Sequence, residues 1–388
     1  MQLEGFNKKS IRRSNFKTLE FEKSPVLLNH HTFTPKSERI KNAIAGEYTQ
    51  KSFKRLHWDR PSYTACYGNN EVHIHPDQNR RLTVREAAKI QHFPDYWTFL
   101  GSLSSEFKQI GNAVPTSLGY GVIKSVLEHV SIENKDAISL FTGIGGLDIG
   151  AESAGLNIRA ALEIDANCIR GLKLNKEIGL RTKLHDFLSR TEIIQADLSK
   201  KENTTKEFIE LNSRKRLNKI EVVIGGPPCQ AFSAAGLRSG LNDERGKLYL
   251  GYLNVLKAFT PHTFVFENVI GLQNIEGGKI LDKIKKDFLR LGYNIRVIQL
   301  NSVNFGVAQF RNRVFVIGTF DDSFTLNNIE RKLLSIKTQE RVVSDIIRGL
   351  PPARISPKNH DYDVSYYNTK EKWDLGEAVF LKHQLVLR

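Results

Sequence analysis

The stretch Gly225-Gly226-Pro227-Pro228-Cys229-Gln230-Ala231-Phe232-Ser233 constrains this chain most, because it follows the strand-like run Ile220 to Ile224 and carries one of only three cysteines. Val222, Val223 and Ile224 suit a buried strand. The two glycines let the backbone turn sharply, and the two prolines fix φ where the strand ends. Cys229 is therefore expected at the carboxyl edge of a sheet. In open α/β sheets ligands bind just outside that edge, so a nucleophile there suits chemistry. Free cysteine is also among the most buried residue types, and the stretch alone leaves a structural cysteine open as well.

With 388 residues, 40% of them apolar, the chain can build two domains or one large α/β domain carrying a smaller attachment. No stretch approaches the roughly 20 apolar residues of a membrane helix. Gln2 to Arg13 is polar and basic where a signal peptide is apolar, so a cytoplasmic protein is expected. Cys66, Cys168 and Cys229 are far apart and odd in number, which indicates neither a disulfide framework nor a cysteine metal site. The formal net charge of +15 favours a polyanionic partner, nucleic acid being the commonest. A run such as Arg214-Lys215-Arg216 reads as a solvated face rather than a specific contact.

Residues 1 to about 56 are basic, lack a sustained period and read as loop-rich. Arg80 to Gln91 then reads as a helix, with Thr83 as its cap and Glu86 completing a capping box. After a polar stretch, Gln109-Ile110-Gly111-Asn112-Ala113-Val114-Pro115 leads into a second helix ending near Val130. From Ala137 the pattern alternates strand and helix, which argues a mostly parallel sheet covered on both faces. Its first strand runs into Phe141-Thr142-Gly143-Ile144-Gly145-Gly146, and the second delivers Glu163 at its tip. A glycine-rich turn lets a cofactor approach the backbone, and an acid on the next strand tip can accept from ribose hydroxyls. Asp197, at the end of a third strand, could accept from an adenine amino group. Thr263 to Phe266 is a strand ending in a second acid, Glu267, and spacing of two places Gln309, Arg311 and Arg313 on one face. Tyr362, Tyr366, Tyr367 and Trp373 among the cations of the tail suit a nucleic-acid surface and a small core equally.

Five motifs jointly resemble the DNA cytosine-5 methyltransferases, over about residues 53 to 319: the Phe141 to Gly146 turn, Pro228-Cys229-Gln230, Glu267-Asn268-Val269, Gln309-Phe310-Arg311-Asn312-Arg313 and Gln109 to Val114. In the usual family order the Arg81 helix and the Gly111-Asn112-Ala113-Val114 segment come last; here they come first. The chain thus resembles a circularly permuted member of bacterial restriction-modification type. The resemblance implies an α/β S-adenosylmethionine-dependent methyltransferase fold, Rossmann-like and mostly parallel, with a small target-recognition domain. Residues 1–52 and 321–388 would share that recognition region, 53–130 would hold the permuted motifs, and 131–320 would be the catalytic, cofactor-binding domain.

S-adenosylmethionine is the implied cofactor, held by Phe141, Gly143, Gly145, Gly146, Glu163, Ile164, Asp197, Pro228, Leu248, Asn112 and Val114. Ile164 stands where many members carry an aromatic residue. Cys229, Glu267, Arg311 and Arg313 are the implied catalytic residues. Of these Cys229 would add to C6 of cytosine, Glu267 would hold or protonate N3, and the arginines would steady O2. Pro227, Gln230, Ser233 and Gln309 are expected at the substrate, the Pro227 carbonyl accepting from the exocyclic amine and Ser233 meeting a phosphate. The target base must leave the stack. Double-stranded DNA, a monomeric enzyme, no metal, no membrane and a cognate restriction endonuclease as genetic partner complete the expectation. A tRNA cytosine-5 methyltransferase is the nearest rival, but the Cys-Phe-Thr signature of that branch is missing. A non-catalytic DNA-binding regulator would have eroded the reactive positions, which are all present.

Overall fold

The computed structural model describes residues 29–32, 38–45, 53–64, 67, 72–182, 185–214, 216–217, 219–228, 244–321 and 326–355. Cys66, Cys229, Gln230, Ser233 and the four tail aromatics lie outside the described residues. Among the described residues the first strands are three short ones, β1 (His31–Thr32), β2 (Phe53–Arg55) and β3 (Val72–Ile74), with β2 and β3 paired in parallel. Helix α1 (Val84–Ile90) follows, capped as its sequence indicates: the Glu86 amide donates to Thr83 Oγ1, and the Glu86 carboxylate accepts from the Thr83 amide at 2.7 Å.

The polar stretch before Gln109 is a helix, α2 (Leu103–Asn112), capped by Ser102 and burying Phe107 and Ile110. Ser104, Ser105 and Glu106, then Lys108 and Gln109, separate Leu103, Phe107 and Ile110 and mask the period in the sequence. Gln109, Gly111 and Asn112 therefore sit on a helix end rather than in the loop leading to α3 (Thr116–His129).

From Asp136 the alternation yields β4 (Asp136–Leu140), α4 (Gly146–Ser153), β5 (Asn157–Glu163), α5 (Ala166–Thr182), β6 (Glu192–Gln195), α6 (Lys206–Ser213), β7 (Val222–Gly225), α7 (Glu244–Phe259), β8 (Thr263–Val269), α8 (Lys279–Arg290), β9 (Asn294–Asn301) and β10 (Asn312–Thr319). Among the described residues these seven strands form one sheet in the order β6-β5-β4-β7-β8-β10-β9, parallel except that β10 runs against both neighbours. This is the mostly parallel α/β architecture the alternation requires.

Successive strand residues face opposite ways, and the core splits accordingly. Ile138, Leu140, Val223, Phe264, Phe266, Val314 and Val316 pack with residues of α6, α7 and α8. Ala137, Val222, Ile224, Val265, Phe315 and Ile317 pack with residues of α3 and α4. The chain runs outward from β4 through β5 to β6, then returns to β7 on the other side of β4. That switch point opens a crevice beyond the carboxyl ends of β4 and β7, where ligands bind in sheets of this kind.

The tail begins on the sheet. Helix α9 (Leu326–Ile336) places Ile329 and Leu333 in the same core as Val122 and Phe305, with ion pairs Lys332–Glu128 at 2.6 Å and Arg296–Glu330 at 2.7 Å. It packs on the seven-stranded sheet, beyond residue 320, the expected end of the sheet-bearing domain. Beyond it, α10 (Val343–Ile347) buries Val343 and Ile347 against Leu56, Leu82 and Ile90, and β11 (Arg354–Ile355) pairs in parallel with β1. His30 bridges the same junction, reaching Thr83 Oγ1 at 2.9 Å and the Pro351 carbonyl at 2.7 Å. Head and tail thus meet over α1.

Candidate active site

At the carboxyl end of β4 the backbone enters the left-handed region at Phe141 (φ 54°), Gly143 (φ 57°) and Gly145 (φ 88°). Glycine tolerates this without strain; Phe141 does not. A Cβ on Gly143 would meet nothing within 4 Å, so the turn presents open backbone to the crevice. Glu163, at the tip of β5, closes over it: one carboxylate oxygen accepts from the Gly143 amide at 2.7 Å, the other from Ile164 at 2.9 Å and Asp165 at 2.8 Å. Burial pushes its carboxyl above the usual range, while those amides pull it down. The carboxylate has lone pairs left for ribose hydroxyls. Ile164 is 56% exposed beside it. Asp197 is half-buried and accepts from the Ser199 amide and hydroxyl through one oxygen. Leu248, on α7, is half-buried on the core cluster that Phe141 also joins.

The front segment forms a wall against this turn. Trp97 Nε1 donates to the Ile144 carbonyl at 3.0 Å. A Cβ on Gly146 would overlap the Val114 carbonyl, and one on Gly150 would overlap the Thr116 carbonyl and Tyr120 amide, so α3 and α4 touch backbone to backbone. Val114 is buried in that contact and Asn112 is exposed at the end of α2.

On the other side of the switch point, Glu267 near the end of β8 pairs with Arg313 Nε at 2.7 Å. Burial pushes the Glu267 carboxyl up, against the opposing pull of Arg313 and then Arg311. Gly226 faces the same carboxylate so closely that a Cβ there would overlap it. Asn268 Nδ2 donates to the Pro227 carbonyl at 2.9 Å, fixing the segment that leads into Cys229 beside the acid. Pro228 is exposed. Asn268 was passed over in the sequence because its partner is a backbone atom, which no spacing reveals. The tie also revises the expectation for Pro227, whose carbonyl offers an exocyclic amine one lone pair rather than two.

Gln309, Arg311 and Arg313 are buried while Phe310 and Asn312 between them are exposed, the alternation that their spacing implies. They do not converge on one point. Gln309 Nε2 lies 3.5 Å from Ser62 Oγ, and a short parallel bridge, Ser62 amide to Ala308 carbonyl and Phe310 amide to Ser62 carbonyl, holds this segment to the front. Arg311 Nη2 donates instead to the Gly111 carbonyl at 2.5 Å. Arg313 pairs with Glu267 directly, while Arg311 lowers the Glu267 carboxyl through its charge.

Glycine turn, strand-tip acid and buried acid–arginine pair thus share one edge of one sheet. A family model described as C-5 cytosine-specific DNA methylase matches residues 4–128 and 136–383. The chain belongs to that family. The match reaches well beyond residues 53 to 319, into both ends. Among relatives of this methylase, the Type II methyltransferase M.AquIA of Picosynechococcus sp. is 36% identical over 238 residues, covering 56% of this chain and 90% of its own. M.Sau96I of Staphylococcus aureus is 37% identical, over 49% of this chain and 40% of its own; M.FnuDI of Fusobacterium nucleatum is 32% identical, over 60% and 64%. The chain therefore spans less than two thirds of the last two. DNA cytosine methylation is the activity of the family, and its fold implies S-adenosylmethionine. Among the described residues no helix is long and apolar enough to cross a membrane.

Proposed function

We propose that this methylase transfers a methyl group to C5 of a cytosine in a specific duplex DNA sequence, through a covalent bond between Cys229 and C6. The observation that carries the proposal is the buried Glu267–Arg313 pair, with the chain leading into Cys229 tied to the neighbouring residue, Asn268. The turn and strand tips fit S-adenosylmethionine: open backbone at Gly143, a buried carboxylate at Glu163, an exposed apolar Ile164 and a second acid at Asp197. When bound, this cofactor supplies an electrophilic methyl group.

Cytosine C5 is a poor nucleophile. The Cys229 thiolate adds to C6, and Glu267, whose carboxyl burial pushes up against the pull of Arg313, delivers a proton to N3, where the electron density that addition releases is taken up. Arg313 orients Glu267 and stands ready for O2 of the base. Loss of the C5 proton to a base, expulsion of the thiolate and return of the N3 proton to Glu267 restore the aromatic ring, the free cysteine and the acid. The +15 charge supports binding of the polyanionic substrate and the cost of flipping the base.

The motif order is read as a circular permutation. Its support is that the family match breaks between residues 128 and 136, at the short linker joining α3 to β4, and that head and tail meet through β1 and β11. The described parts of the head and residues beyond α9 then belong to target recognition. A cognate restriction endonuclease fits the Type II relatives, and a monomer in the cytoplasm fits the enzyme.

The test uses duplex DNA carrying 5-fluorocytosine with S-adenosylmethionine present. A covalent adduct should accumulate, because fluorine blocks loss from C5, and Cys229→Ala should form none. Methylation at the parent rate by Cys229→Ala would exclude Cys229 as nucleophile, and a preference for RNA over matched DNA would overturn the substrate.

A further inference from the structure

Arg311 and Arg313 lie two residues apart, one just before β10 and one near its start, yet they serve different walls. Arg313 pairs with the acid on the base side. Arg311, 1% exposed, crosses the crevice to the Gly111 carbonyl at the end of α2. Three residues on from Gly111, the Val114 carbonyl lies against Gly146, the first residue of the helix that follows the glycine turn. The guanidinium therefore ends on the segment that walls the cofactor crevice.

Its own position is fixed from β9. The Arg311 amide donates to Asn301 Oδ1 at 3.3 Å, the Arg311 carbonyl accepts from the Ser302 amide at 3.0 Å, and Ser302 Oγ donates to the Gln309 carbonyl at 2.6 Å. A planar guanidinium so held sets both distance and direction for its acceptor. Gly111 and Arg311 are 200 positions apart. Local chain geometry cannot hold them together, so a side chain must.

Building on the cytosine methylase reading, we infer that Arg311 is a positioning residue for the cofactor wall, holding Gly111 to Val114 against the glycine turn, rather than a second contact to the base. It links the two halves of the site: the strand that sets Arg313 on Glu267 also sets the wall behind the donor. Lysine keeps the charge but loses the fixed planar direction, so the wall loosens while the electrostatics near Glu267 persist.

The experiment compares Arg311→Lys and Arg313→Lys in steady-state methylation and in calorimetric binding of S-adenosylhomocysteine. Arg311→Lys should raise the KM for S-adenosylmethionine and the Kd for S-adenosylhomocysteine at least tenfold while lowering kcat less than threefold. Arg313→Lys should do the reverse. An Arg311→Lys enzyme with parent KM and Kd but a kcat lowered a hundredfold would overturn the inference and return Arg311 to the base. If circular dichroism shows that Arg311→Lys does not fold, Asn301→Ala carries the test, since it loosens the same backbone from a half-buried position. A threefold rise in Kd is then expected, and an unchanged Kd overturns the inference. Should the parent methylate no DNA, the function reading fails, while S-adenosylhomocysteine binding alone still decides for or against the Arg311 role.

Discussion

The seven-stranded sheet and the front segment of residues 53–113 are held together by different means. Inside the sheet the backbone satisfies itself through the strand ladder, and the alternating side chains are free to be apolar. The front segment has strands of three residues and short helices, so much of its buried backbone has no ladder to join. Polar side chains do that work. Arg55 donates to the carbonyls of Ile40 at 2.8 Å, Ala43 at 2.6 Å, His75 at 2.8 Å and Gln78 at 3.0 Å. Arg85, fully buried, donates to the Pro94 carbonyl at 3.0 Å and the Trp97 carbonyl at 2.7 Å. Gln91 reaches Ile110, and Asn175 on α5 donates to the Thr98 carbonyl while accepting from its amide. Irregular backbone can be buried only when such partners exist.

The contrast predicts where the molecule is brittle. The largest effect belongs to Gly146→Ala, at the seam between the two regions, because the added methyl would overlap the Val114 carbonyl. Backbone must move on one side, and S-adenosylhomocysteine binding should fall beyond calorimetric detection. Parent-like affinity would mean that the seam is compliant and the two regions are not rigidly joined.

The next comparison sets one substitution in each region. Arg85→Met should cost about 3 kcal/mol in urea unfolding, because the buried Trp97 carbonyl and the part-buried Pro94 carbonyl lose their donor, whereas Ile317→Val in the sheet core should cost about 1 kcal/mol. Equal losses would break the contrast between the regions.

The same difference explains what the sequence disclosed. The strands themselves are legible in runs such as Val222 to Ile224 and Val314 to Ile317, since burial on both faces writes an apolar run directly into the chain. The glycine turn and Glu163 were legible because a backbone needing positive φ leaves glycines behind. The Thr83–Glu86 capping box was legible because its spacing is local. Ties from a side chain to a distant carbonyl leave no such mark: Arg311 to Gly111, Asn268 to Pro227 and Trp97 to Ile144 follow from the fold, not from any period. For this reason spacing alone sets Arg311 beside Arg313, and the polar residues of α2 hide its period.

A smaller effect tests a polar group that the sheet region buries without comparable ties. Asp148 lies inside α4 just after the glycine turn, 1% exposed, and burial pushes its carboxyl up to about 7, offset in part by the Ser139 hydroxyl. Glu152, one turn on, is pushed up to about 8 by burial even though it accepts from the Leu188 amide at 2.8 Å. An acid whose folded pKa exceeds its unfolded value holds a proton that the unfolded chain has released. Stability from Asp148 therefore falls as pH rises from about 4 to about 7, and levels off above that. His75, His92 and His185, each held down to about 4 mainly by burial, act in the opposite sense below about 6.5, so the parent profile alone is ambiguous. The difference between the parent and Asp148→Asn removes them. The variant should match the parent near pH 4 and gain on it steadily to pH 7, reaching a Tm advantage of about 5 °C, since about 1 kcal/mol shifts a domain of this class by a few degrees. A constant difference across that window would mean that Asp148 ionises normally, and that the sheet region, like the front segment, satisfies every charge it buries.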